Sequence, residues 1–186
     1  MPTRKGPPER DPAWRLSATD GQLRLHTDVA GRAARMGHRL TIAMESWHIG
    51  IDRKDGAPDS ATLVVDVDSL RVLDGEGGVT PLSAPERTVA RANALKTLDS
   101  KRFPTIEFHA ATISATTGGY LLEGPLTIHG VTRQIEIDIA VDDAGQMSCT
   151  AEVSQRDFGV KPYSMALGAM KVADLVRVSF SARYPG

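Results

Sequence analysis

Leu98-Asp99-Ser100-Lys101-Arg102-Phe103-Pro104-Thr105-Ile106-Glu107-Phe108 begins the segment that decides the fold, and Gly119-Tyr120-Leu121-Leu122-Glu123-Gly124-Pro125-Leu126-Thr127-Ile128-His129-Gly130-Val131-Thr132-Arg133 continues it. Apolar residues recur there at every second position: Ile106, Phe108 and Ala110, then Tyr120 and Leu122, then Leu126 and Ile128, then Ile135, Ile137, Ile139 and Val141. A period of two marks half-buried strands. Thr116-Thr117-Gly118-Gly119 supplies a hairpin turn and His129-Gly130-Val131-Thr132 a corner, so successive strands run antiparallel.

Working outward, Leu23, Leu25, Thr27 and Val29 predict a strand, and Ala30–Met36 a short helix ended by Gly37. Residues 38–53 carry Leu40, Ile42 and Met44, then Trp47, Ile49 and Ile51; the change of phase at Glu45–Ser46 calls for a bulge or bend. Ala61, Leu63, Val65 and Val67 form the next stripe, and Gly75–Gly78 reads as a loop. Pro85 to Ser100 predicts the main helix, with Val89/Ala90, Ala94 and Leu98 on one side. Met147, Cys149, Ala151 and Val153, and finally Val176, Val178, Phe180, Ala182 and Tyr184, alternate again.

The pattern predicts an all-β domain with one main helix: an antiparallel barrel of about eight strands. Such a barrel has room inside for side chains or one small ligand. Strand parity turns Leu40, Ile42, Leu63, Val65, Phe108, Leu122, Leu126, Ile137, Val178 and Phe180 inward, with Met165 and Met170 near one end.

A chain of 186 residues suits one domain over 13–186, preceded by a tail over 1–12 whose four prolines favour extended, flexible chain. A net charge of −1 argues against a nucleic-acid partner. No apolar run reaches the ~20 residues needed for a membrane span. The N-terminus lacks the apolar core of a secretory signal, and the lone Cys149 cannot form an internal disulfide, so the cytoplasm is the expected compartment. A homodimer stays open.

The chemistry-bearing residues do not assemble into a catalytic or metal set, and no cofactor motif is present. Arg156-Asp157-Phe158-Gly159 contains a kinase-like triplet but lacks every companion motif, and a strand-ending turn with Phe158 buried accounts for it. Asp74–Gly78 lacks the Gly-Lys-Ser/Thr of a phosphate loop. No two of the five histidines lie within four residues of each other. His38 stands where the short helix meets the next strand, and a backbone-bonded role is preferred there to a ligand contact. Cys149 on an apolar stripe reads as a small buried hydrophobe.

Tyr163–Met170 is an apolar connection that would either pack over the barrel end or act as a pliable lid, since methionine adapts to irregular apolar surfaces. Arg32, Arg35 and Arg39, with Met36 and His38, cluster on the Gly31–Arg39 segment, along the short helix and just past its end; they are either a solvated face or a receiver of an anionic headgroup at the barrel mouth.

Phe103-Pro104-Thr105-Ile106-Glu107-Phe108, Leu126-Thr127-Ile128-His129-Gly130-Val131-Thr132, Gly37-His38 and Arg156-Asp157-Phe158-Gly159 together resemble the YceI-like family of lipocalin-like, polyisoprenoid-binding barrels, from about Trp14 to Tyr184. The resemblance implies a non-enzymatic carrier or store for a long isoprenoid or similar amphiphile, in a family often secreted or periplasmic. For such a ligand the candidate contact set is the inward residues that strand parity gives above, with Phe158, Met165, Met170 and the Arg32, Arg35, Met36, His38 and Arg39 cluster. The rival readings are an enzyme that acts on such a ligand through His38, and a partner-binding barrel with a filled core.

Overall fold

The computed structural model describes residues 11–183. In chain order the strands are β1 (Asp11–Ser17), β2 (Gly21–His26), β3 (Val29–Ala30), β4 (His38–Met44), β5 (Trp47–Lys54), β6 (Ala57–Asp66), β7 (Leu70–Gly77), β8 (Thr105–Ala110), β9 (Thr112–Thr116), β10 (Gly119–Ile128), β11 (Val131–Val141), β12 (Gln146–Ser154), β13 (Ser164–Met165), β14 (Met170–Val172) and β15 (Leu175–Arg183). One α-helix, α1 (Ala84–Thr97), joins β7 to β8. Twelve strands form an antiparallel sheet in the order β1-β5-β6-β8-β10-β11-β12-β15-β2-β4-β7, with β9 on β10; β13, β14 and β3 form a small second sheet.

The change of phase at Glu45–Ser46 is a corner. Met44 pairs with Leu70 on one side of it and Trp47 with Val65 on the other. Between them Asp66 N donates to Ser46 O at 2.9 Å and Glu45 N to Ser69 O at 3.2 Å. One two-stranded ribbon therefore turns the corner, and its halves stand near opposite ends of the strand order. The sheet curls until it returns to the ribbon it left, giving a lipocalin-like barrel. The strand count exceeds the expected eight because long strands break at such corners: β4 and β5, β6 and β7, and β8 and β9 are each separated by three residues or fewer.

Inside, Leu16, Leu23, Ile42, Met44, Trp47, Val65, Leu70, Phe108 and Met147 are buried in one cluster. Ser83 caps α1 and forms a reciprocal capping box with Glu86. Ala90, Ala94, Leu95 and Leu98 turn its apolar side to the core, whereas Val89 is exposed, contrary to the expected stripe. Arg91 Nε donates to Leu70 O at 2.7 Å and ties the helix to β7.

Two other expectations fail for identifiable reasons. Ala30–Met36 is not a helix beyond one 3-10 turn at Ala34–Met36. Ala33 N donates to Ala169 O at 2.8 Å, so the main chain is bound to a neighbouring loop instead of to its own turn. Gly75–Gly77 is strand rather than loop, paired with Leu40, Arg39 and His38. A Cβ on Gly75 would lie 2.7 Å from Leu82 Cδ2, so this glycine serves close approach, not flexibility. Tyr184 and all but the last two residues of the expected tail fall outside the described residues.

The β10–β11 hairpin turns on His129 (φ 53°) and Gly130 (φ 74°), the left-handed pair that a tight two-residue turn requires. Phe103 packs on this turn: its ring lies 4.7 Å from that of His129, and a Cβ on Gly130 would sit 2.5 Å from Phe103 Cε1. Gly56 (φ 80°) also turns left-handed but has open space around it. Gly56→Ala should therefore lose only the backbone contribution, about 1–2 kcal/mol. Gly130→Ala should lose about 1–3 kcal/mol more, because the Phe103 ring must move. Urea unfolding of both variants measures the difference.

Candidate functional site

The inward rows of the barrel are built by cross-strand register. Leu122 on β10 stands opposite Ile137 on β11, Val178 on β15 lies between Ala151 and Leu25, and Phe180 between Cys149 and Leu23. Ile42, Val65, Phe108 and Leu126 are buried, while Leu40, Leu63, Leu122, Ile137, Val178 and Phe180 are half-buried against the core. One wall, along β10, β11, β12 and β15, is thus apolar and incompletely covered.

Trp47 was legible only as a member of an apolar stripe. Its side chain is 3 % exposed and meets Phe180 edge-on across the interior, with ring centroids 5.6 Å apart. Its Nε1 is buried and has no hydrogen-bond partner among the described residues. An unpaired buried N–H is uncommon, because desolvating it is unfavourable. No feature of the sequence announces it.

One end of the barrel carries the sheet β13-β14-β3 and its flanking turns, where β2 runs on into β3 and β14 into β15. Lys171 pairs with Ala30 and Val172 with Val29. A pocket of about 70 Å³ lies there, lined by Val29, Gly37, His38, Tyr163, Met165, Met170, Lys171 and Val172. Met170 is half-buried beside Gly37, whose Cβ would lie 2.9 Å from its sulfur. Met165 and Met36 are exposed, and so is Leu167, held with Ala166 at positive φ. Arg32, Arg35 and Arg39 are exposed as well; Arg39 pairs with Glu76 at 3.4 Å. The cap therefore gathers the basic cluster and both methionines at one end, but outside the apolar interior, where the inward residues lie.

His38 is fixed by its surroundings. Its Nε2 is 2.7 Å from Thr80 O, and its ring lies where a Cβ on Gly78 would fall, 2.4 Å from Nε2. His26 bonds Ser179 and His109 bonds Thr62. No metal-ligand cluster occurs among the described residues.

β11 and β12 part company. Although they span 11 and 9 residues, only Ala140–Ser148 and Val141–Met147 pair. Past the far end of the gap, Arg133 Nε donates to Asp157 O at 3.0 Å, and Phe158 is buried. At the paired end a groove of about 430 Å³ starts, lined by Thr116, Gly118, Asp138, Ala140, Ser148 and Thr150 from the outer face and by Ile139 and Cys149 from the inner one. Burial holds the Cys149 thiol above its ordinary value, against a smaller opposing effect of a backbone hydrogen bond from Phe180.

A curled antiparallel barrel, capped at one end and with a partly uncovered apolar wall, defines a binding-barrel architecture. The chain matches the YceI-like domain over residues 14–184 and belongs to that family. Among solved structures it is similar to Burkholderia cenocepacia BcnA, with a TM-score of 0.65 and 16% identity over 88% of this chain and 96% of that one. It is also similar to the Campylobacter jejuni YceI protein, with a TM-score of 0.50 and 13% identity over 78% and 85%. No curated protein matches its sequence.

The Arg156–Gly159 segment is the strand-ending turn its residues suggest: a 3-10 turn closed by Gly159 at φ 68°. Asp174 holds it, accepting from Ser154 Oγ at 2.8 Å and from Arg156 N at 2.9 Å. The Ser154 hydrogen bond chiefly, with smaller help from the Arg156 backbone and charge, lowers the Asp174 carboxyl below its ordinary 3.8. A group depressed in the folded state stabilises above its unfolded value and loses that contribution as pH falls through the folded one. Asp174→Asn should therefore be destabilised at pH 7, and the gap to wild type should close as the pH is taken well below 3.8. Thermal melts across that range measure it.

Proposed function

We propose that this protein carries or stores a long-chain isoprenoid or similar amphiphile without transforming it. The observation that carries the reading is the half-buried, incompletely covered apolar wall of Leu122, Ile137, Val178 and Phe180, on the face that the fold turns inward. In a barrel packed solid, such residues would be as buried as Phe108. Trp47 and Phe180 fill the interior between β5 and β15, so the tail is assigned to the β10–β12 side. The unpaired Trp47 N–H offers one polar anchor, suited to a carbonyl or hydroxyl oxygen of the ligand.

The energetics favour a long tail. Each buried methylene contributes ~0.8 kcal/mol, so ten provide ~8 kcal/mol. Association and ordering oppose this by several kcal/mol, which short ligands do not overcome. The basic cap is the proposed headgroup end, because guanidinium donors bind phosphate oxygens in pairs. His38, committed to Thr80 O and enclosed by Gly78, is assigned a structural rather than a catalytic role. The lone thiol is the ground for placing the protein in a reducing compartment, the cytoplasm.

Lipid extraction and native mass spectrometry of freshly purified protein test the reading: a co-purifying long-chain lipid supports it, and protein that stays empty when offered polyprenols overturns it. A polyprenyl phosphate should bind more than twofold tighter than its alcohol, and Arg35→Ala should reduce that preference. Equal affinities in both proteins would remove the cap from the site and leave recognition to the tail.

A further inference from the structure

We infer that the gap between β11 and β12 is a lateral entrance, through which the apolar tail of the ligand reaches the barrel interior. The inference rests on the carrier reading and adds the route. Three observations converge on it. The ladder stops after two residue pairs, although both strands run on. The groove straddles the last ladder pair and the first unpaired positions of the gap, and it touches residues of both faces: Asp138, Ala140, Ser148 and Thr150 alternate outward, while Ile139 and Cys149 belong to the inward rows. Below the floor, the half-buried wall continues without a polar step through Ile137, Ile135, Ala151 and Val153.

The dimensions suit a chain. Residues 134–139 of β11 run beside the gap, which at strand rise is about 20 Å of opening. That accommodates a tail lying along the strands, whereas the capped end offers a pocket of about 70 Å³.

The edges also select the occupant. Unpaired strand edges invite another strand, and charged side chains discourage it. Here Glu136 and Asp138 stand on one bank and Glu152 on the other. Glu136 lies beside Glu123 in the β10–β11 ladder, so that bank is acidic, whereas Glu152 is beside Arg177. A peptide strand would have to lie against that acidic bank. An uncharged hydrocarbon tail passes below them, against Ile139 and Cys149.

The native thiol on the floor reports on the route. Full-length protein is treated with a bulky maleimide near pH 8.5 to modify Cys149, and uptake of a long-chain polyprenol from vesicles is followed. Modification should slow uptake at least tenfold, while unmodified protein mixed with reagent already quenched by a small thiol keeps its rate. In the reciprocal measurement on unmodified wild type, bound polyprenol should slow maleimide labelling at least fivefold. Uptake unaffected by the plug, or labelling unaffected by bound polyprenol, overturns the lateral entrance and leaves the carrier reading intact. If unmodified protein takes up no polyprenol, the carrier reading itself falls and the entrance with it. Circular dichroism of the modified protein separates a plugged route from an unfolded chain.

Discussion

Two main-chain hydrogen bonds at one corner, from Asp66 N to Ser46 O and from Glu45 N to Ser69 O, carry the architecture. They keep the ribbon of β4–β5 and β6–β7 paired while it changes direction. Without them the two ends of the strand order would be separate edges, each with a row of unpaired amides. With them, the apolar faces of β5 and β15 look at each other across an interior, and Trp47 meets Phe180. The helix reinforces the same place, since Arg91 binds the Leu70 carbonyl at the start of β7.

The segments of the sequence that stand out for their composition meet in space. Phe103 lies on the His129–Gly130 turn, so one stretch supplies a ring and another the bare backbone against which it packs. Arg133, just beyond that turn, reaches Asp157 of the Arg156–Gly159 turn. Gly159 in turn lies near Val131 and His129. One end of the barrel is thus stitched by side chains onto turns, which explains why these positions are glycine, aromatic and arginine where alternation asks only for apolar and polar.

Most of the fold was legible because its signals are local. The phase change at Glu45–Ser46 marked the corner, Pro85 marked the start of the helix, and alternation marked the rows. What was missed depended on partners distant in sequence. Ala30–Met36 has the composition of a helix, but its amide at Ala33 is taken by Ala169. Gly75–Gly77 looks like a loop until Leu82 is seen to need the space. For the site, parity identified the inward residues, yet it gave neither the unpaired N–H of Trp47 nor the exposure of Met36 and Met165. Those follow from packing across the barrel, which no window of sequence contains.

What the parting of β11 and β12 forgoes is visible only once the hairpin register is known. Ala140 opposes Ser148, so continued pairing would bring Ile139 to Cys149, Ile137 to Ala151 and Glu136 to Glu152. The apolar pairs favour closure and the acidic pair opposes it. Like charges facing each other oppose by about 0.2–1 kcal/mol. The main-chain bonds forgone contribute about 0.5–1.5 kcal/mol each, and several are forgone. Repulsion alone is therefore too weak to keep the strands apart. Beyond the gap the turn after β12 buries Phe158, and the link to β11 there is made by the long side chain of Arg133 on the Asp157 carbonyl rather than by a main-chain pair. The hairpin pairs the two strands at one end, Arg133 joins them at the other, and Glu136, Asp138 and Glu152 line what lies between.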